Sequence, residues 1–194
     1  MAWTHLQPVY NMQNIFRLAG SIQSAGAFFA PMKEAAISMV DARDVADVAA
    51  AVLTGDGHED KTYVVTGPEA LTFAEAARHL SSVLGRDVRY VDVTAGVARI
   101  GLLSMGLPAW YVDDLLQLYA FYSSGAGGVV TDTVPRLTGH VGRNFARFAG
   151  DYRAVFGGRS QPHDSGVANA GIQVVRPRAT PTPSWPTASP RTGS

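Results

Sequence analysis

Trp3-Thr-His-Leu-Gln-Pro8 reads as a short β-strand stopped by proline, whose locked φ and missing N–H end a ladder. The strand opens abruptly, two residues after Met1. If it lies inside a sheet, the strands beside it must come from elsewhere. Working outward, Asn11 to Gly20 is predicted helical, with Ile15, Phe16, Leu18 and Ala19 on its apolar face and Gly20 as its stop. Ala27-Phe-Phe-Ala-Pro31 is a short apolar stretch before a turn at Met32 to Glu34. Ile37-Ser-Met-Val-Asp41 then has the pattern of a short, largely buried strand.

Asp44 to Leu53 is predicted to be a helix capped by the Asp44 carboxylate, with Val45, Val48, Ala49 and Val52 on one face. A Gly/Asp-rich loop leads to the β-branched strand Lys61–Thr66, closed by Gly67-Pro68. Leu71-Thr-Phe-Ala-Glu75 carries a capping box, Thr72 with Glu75, and Leu71 stands at the staple position. The helix behind it turns Phe73, Ala76, Ala77, Leu80, Val83 and Leu84 inward and closes at Gly85. Val88–Val93 is a strand and Thr94–Met105 a helix ended by Gly106. Pro108 suits the first turn of a helix running to about Ser123. Asn144 is predicted to cap a last helix bearing Phe145, Phe148, Tyr152, Val155 and Phe156.

Strands alternating with helices define an α/β protein. The reading divides the chain at residues 1–156 and 157–194. Six of the eleven prolines fall in the second part among Ser, Thr, Gly and Arg. Such a segment buries too little surface to offset its ordering entropy, so a disordered tail is expected.

The totals exclude several functions. Sixteen basic and sixteen acidic residues give a formal net charge of +0, so neither nucleic acid nor an anionic membrane has an electrostatic claim on the chain. No cysteine is present, which removes disulfides, thiolate metal sites and a cysteine nucleophile and fits a cytoplasmic location. No two of His5, His58, His79, His140 and His163 have metal-ligand spacing, and no metal site is expected. His5, on the first strand, is the one with a position of interest. Gly125-Ala-Gly-Gly128 follows a helix and has the wrong spacing for a dinucleotide turn, so it reads as a connection. Asp41, Arg43, Asp44 and Asp47 could suggest acid–base work or a metal, but helix capping and ion pairing account for them. In the aromatic helix, residues 111, 115, 118 and 122 form a core stripe. Trp110 and Phe121 fall off it and are candidates to line a pocket for a flat substrate. No catalytic residue can be named.

Several segments together resemble the NmrA-like family, atypical relatives of the short-chain dehydrogenase/reductases that include type-2 quinone oxidoreductases and azoreductases. They are Trp3–Pro8 with Met12-Gln-Asn14, Phe28-Phe-Ala-Pro31, Ile37-Ser-Met-Val-Asp-Ala-Arg-Asp-Val-Ala46, Tyr63-Val-Val-Thr-Gly-Pro-Glu-Ala-Leu-Thr72 and Arg136-Leu-Thr-Gly139. The resemblance covers nearly all of residues 3–156. It implies the C-terminal part of a Rossmann-like doubly wound sheet plus a small α/β substrate lobe. The family's N-terminal nucleotide-binding β/α units have no counterpart, and its usual arginine before the proline is Gln7. Carried over, the resemblance makes Pro8, Val9 and Tyr10 neighbours of an NADP or NAD cofactor, and Phe28, Phe29 and Trp110 substrate-side residues. It implies a small-molecule substrate, of quinone or azo type, for the whole enzyme. It also implies that this chain is inactive and binds no dinucleotide by itself, and that it needs an N-terminal half or self-association. A non-catalytic, redox-sensing regulator or partner-binding protein and a non-functional remnant are the rival readings.

Overall fold

The structure is a computed structural model, and it describes residues 2–158. The expected disordered tail lies, from residue 159 onward, outside the described residues.

Two pairs of parallel strands organise the chain. Strand β1 (Thr4–Pro8) pairs with β3 (Lys61–Val65), with Leu6 opposite Tyr63 and Pro8 opposite Val65. Strand β2 (Ala27–Ala30) pairs with β4 (Arg89–Asp92). Parallel partners need crossovers, and helices supply them. They are α1 (Ala19–Ala25), α2 (Ala42–Thr54) and α3 (Phe73–Leu84). After β4 come α4 (Ala95–Ser104), α5 (Ala109–Phe121), α6 (Thr133–Thr138), α7 (Phe145–Asp151) and α8 (Arg153–Gly157).

The main core is rich in phenylalanine. Phe28, Phe73, Phe145, Phe148 and Phe156 are fully buried, and Phe148 packs between Phe16 and Tyr152 with ring centroids 5.5 and 5.0 Å away. A smaller cluster, Val40, Val48, Val65 and Val134, joins the β1–β3 pair to α2 and α6, with Leu6 packed against it. Side chains alternate across a strand. The face of β1 and β3 carrying Leu6, Tyr63 and Val65 is therefore the covered one. On the other face His5, Gln7, Thr62 and Val64 are all exposed, and the Trp3 ring rests on His5 at 4.4 Å.

Several local expectations needed correction. Residues 12–18 form a 3-10 turn, and the α-helix continues through Gly20 to Ala25. The stop is Gly26, which adopts φ 59°, a left-handed conformation that glycine takes without Cβ strain. The cap of α2 is Asp41, whose carboxylate accepts from the Arg43 backbone N–H. Asp44 lies in the first turn and is wholly buried. The 37–41 segment makes only isolated bridges, Asn11 to Val40 and Ile37 to Leu71. The apolar 27–30 stretch is a full strand, and α6 was not expected. Pro108 caps α5 from outside it, and after Phe121 the backbone widens into a π-turn over Tyr122–Ala126. The buried stripe of α5 and this turn is Val112, Leu115, Tyr119 and Tyr122, so Tyr111 and Leu118 lie outside it. The Thr72–Glu75 capping box and the Asn144 cap form as expected. No helix among the described residues is long and apolar enough to cross a membrane.

Candidate functional site

In parallel α/β sheets, ligands sit beyond the carboxyl ends of the strands. At that end of β1 the chain runs Pro8, Val9, Tyr10. Pro8 is exposed, Val9 half-buried and Tyr10 buried. The Val9 N–H donates to the Val65 carbonyl at 3.2 Å, extending the β1–β3 ladder by one bond. The Tyr122 hydroxyl donates to the Val9 carbonyl, so the π-turn is tied to the strand end. The Tyr10 ring meets Tyr122 and Phe73 edge-on, at 5.5 and 6.2 Å. Burial pushes the Tyr10 hydroxyl pKa well above its ordinary value. The nearby Tyr119 pushes it further, and Arg17 opposes the shift.

The segment 37–40 crosses behind this strand end. Val40 N–H donates to the Tyr10 carbonyl and Met12 N–H to the Val40 carbonyl, each at 2.9 Å. Ser38 gives both its N–H and its hydroxyl to the Gly127 carbonyl. The approach is close enough that a Cβ on Gly67 would stand 1.9 Å from the Met39 carbonyl oxygen, so only glycine fits there. Asn11 Oδ1 is buried with no hydrogen-bond partner among the described residues. Beside the end of β3 lies a crevice of about 170 Å³, bordered by Thr66, Gly67, Pro68, Val130 and Gly142.

These residues form a fixed strand end with a crevice beside it. The crevice is well below the roughly 300–1,000 Å³ of an ordinary small-molecule pocket. A dinucleotide also needs clustered backbone N–H groups at a helix N-terminus after a glycine turn, and the described residues contain no such turn. The fit therefore extends to a ring resting on the strand end and does not extend to a pyrophosphate.

The substrate-side candidates are dispersed. Phe28 is fully buried between Phe73 and Tyr90 and offers no surface to a ligand. Phe29, on the opposite face of β2, is 48% exposed, and Trp110 on α5 is 68% exposed, edge-on to Tyr111. Phe121 is also exposed. Among the described residues no ring contact joins Trp110 to Phe28 or Phe29.

The acidic cluster resolves into two ion-pair networks. Asp41 accepts from Gln13 and from both the backbone and guanidinium of Arg43. Arg43 also pairs with Asp151 and lies over the Tyr152 ring. Burial alone would raise the Asp41 carboxyl, but the Arg43 and Gln13 hydrogen bonds outweigh it and hold the pKa below the ordinary value. Asp44 and Asp47 converge with His140 in a geometry that could hold a cation. The Arg143 guanidinium occupies that position, bonded to Asp44 and, at 2.9 Å, to Asp47. Sequence reasoning had no signal for this clamp, because its halves stand 99 residues apart.

Parallel strands crossed by helices, with a close-packed strand end at their carboxyl edge, define an α/β protein of Rossmann-like build. No protein-family profile matches the chain. An NAD(P)H azoreductase of Xenophilus azovorans is 45% identical over 157 residues, which are 81% of this chain and 55% of that protein. The NADPH-dependent quinone oxidoreductase of Escherichia coli, solved with NADPH, aligns at TM-score 0.73 and 25% identity over 79% of this chain and 54% of that one. NmrA, a negative transcriptional regulator solved with NADP, aligns at TM-score 0.58 over 78% and 52%, at 18% identity, which is a likeness of fold alone. The chain belongs to the NmrA-like family of atypical short-chain dehydrogenase/reductases and corresponds to the C-terminal portion of its fold. It spans about half the length of the curated relatives it matches.

Proposed function

We propose that this chain is the substrate-side portion of an NAD(P)H-dependent oxidoreductase acting on quinone or azo acceptors. The observation that carries the reading is the fixed strand end Pro8–Tyr10. It is held by Tyr122 and by the 37–40 segment at the carboxyl edge of parallel strands. Its 45% identity to an azoreductase supports the choice of chemistry. When bound, the cofactor supplies hydride, and the protein contributes orientation. Pro8 and Val9 would offer the nicotinamide a flat, rigid support, with Tyr10 packed behind it. Phe29 and Trp110 would offer apolar contact to a planar acceptor. Phe28 would act from behind, by fixing β2.

Hydride delivery requires the rest of the nucleotide site, so the chain alone is expected to be inactive and to bind neither NADH nor NADPH. The regulator reading draws on fold likeness to NmrA, a weaker support than 45% identity to an enzyme. The test joins this chain behind the nucleotide-binding half of the Xenophilus azoreductase and follows NAD(P)H oxidation with a quinone and an azo dye. Turnover by the joined protein and none by the chain alone is the expected result. Micromolar NADPH affinity for the isolated chain, or a folded but inert hybrid that still binds NADPH, would overturn it, the latter in favour of the regulator.

A further inference from the structure

A second ligand position lies away from the β1 strand end, at the carboxyl ends of β2 and β4. A cavity of about 400 Å³ opens there, within the size range of small-molecule sites. Pro31, Val93, Leu116 and Ala120 give it apolar walls, and Lys33 and Asp92 stand on its rim. The Lys33 backbone and the Asp92 carboxylate are held in place. Lys33 has φ 51°, an uncommon conformation for a residue with a side chain. Its N–H donates to Asp92 Oδ1 at 2.8 Å, and the Tyr90 hydroxyl reaches the same oxygen at 2.9 Å. Asp92 Oδ1 is thus engaged by the protein, whereas no hydrogen bond to Oδ2 is formed among the described residues. The Lys33 ammonium forms no ion pair among them either, although Glu34 lies close enough to act on Tyr90.

We propose that this cavity binds a flat aromatic acid bearing a hydroxyl group. Its ring lies between Val93 and Leu116, its carboxylate meets Lys33, and its hydroxyl donates to Asp92. The apolar walls favour a ring over an extended polar chain. The unpaired ammonium selects an acid over its neutral amide. The free carboxylate oxygen accepts a hydrogen bond from the far end of the ligand. The groups named in the proposal all belong to this chain, and the inference is separate from the proposed reductase activity.

The test titrates 6-hydroxy-2-naphthoate and its carboxamide into the full chain, or into the joined protein described above, by calorimetry. The acid should bind at least about tenfold more tightly than the amide, a difference of about 1.4 kcal/mol. Lys33→Met should erase that ratio without moving the melting transition, because the side chain is exposed, and Lys33→Arg should keep it. Leu116→Trp should block both compounds by filling the cavity. If it lowers the melting transition, Ala120→Leu, on an exposed position of α5, serves in its place. Equal affinities for acid and amide would refute the proposal. So would a ratio that survives Lys33→Met, undiminished binding to the filled cavity, or no binding of the acid at millimolar concentration.

Discussion

The two strand pairs of this molecule differ in what covers them. The β2–β4 pair rests on a phenylalanine-rich core shared with α1, α3, α7 and α8. The β1–β3 pair has four buried valines on one face and exposed His5, Gln7, Thr62 and Val64 on the other. Parallel sheets are ordinarily covered on both faces. The first pair has the larger core behind it, although Phe29 and Val91 on its other face are exposed. The second presents a bare face and, among the described residues, an unpaired β1 edge, the usual template for strand association.

That contrast predicts unequal responses to substitution. The largest effect is expected at Phe148. Phe148→Ala should cost about 3–5 kcal/mol in denaturant unfolding, through lost burial and a cavity among Phe16, Phe145, Tyr152 and Phe156. Val64→Ala on the bare face should cost less than about 0.5 kcal/mol. Comparable losses at the two positions would mean that the β1–β3 face is covered after all.

Next is the clamp. Arg143→Ala leaves the fully buried Asp44 without its counter-charge and should cost about 3–5 kcal/mol. Arg143→Lys, which cannot span Asp44 and Asp47 with a planar fork, should recover only part of this.

A pH titration separates the other ion-pair network from the sheets. The folded-state pKa of Asp41 is depressed, so its contribution is fully present above the unfolded value near 3.9. It drains away as pH falls through the lower folded value. Asp41→Asn should flatten the stability loss below about pH 4 and lower stability at pH 7. An unchanged acid limb would show that another carboxylate governs it.

Smaller still, Thr72→Ala should cost about 1 kcal/mol by removing one half of the α3 capping box. Finally, residues 2–158 are expected to elute as an oligomer in size-exclusion chromatography. Trp3→Lys with Val64→Lys should shift them toward monomer with little change in melting temperature. A monomeric parent chain would break the comparison outright.

Elements with local signals were legible in the sequence. The Thr72 capping box, the β-branched 61–65 strand and the Asn144 cap are each written within a few residues. The α2 cap was misplaced because Asp41 and Asp44 are both competent caps; both are buried, and the distant Arg143 engages Asp44 while Asp41 caps the helix. Helix α6 was missed because Thr133–Thr138 is six residues with a proline in the middle, too short for any period. The strand end Pro8–Tyr10 came from resemblance rather than from residue chemistry. Phe28 and Phe29 looked equivalent in sequence, yet strand alternation sends one into the core and the other to the surface. The aromatic-acid cavity left no sequence signal, since Lys33 and Asp92 meet only when β2 pairs with β4.

The Arg143 clamp also bears on the order in which the chain can be completed during synthesis. Its two halves lie 99 residues apart. The β1–β3 ladder, by contrast, can close once residue 65 has emerged. Long-range contacts of this kind carry the largest loop-closure cost and form late. Until residue 143 leaves the ribosome, α2 holds a carboxylate that the finished fold buries but nothing yet neutralises. A nascent chain stalled before that point should keep α2 undocked and remain sensitive to protease between β1 and β3, and releasing a few more residues should close it.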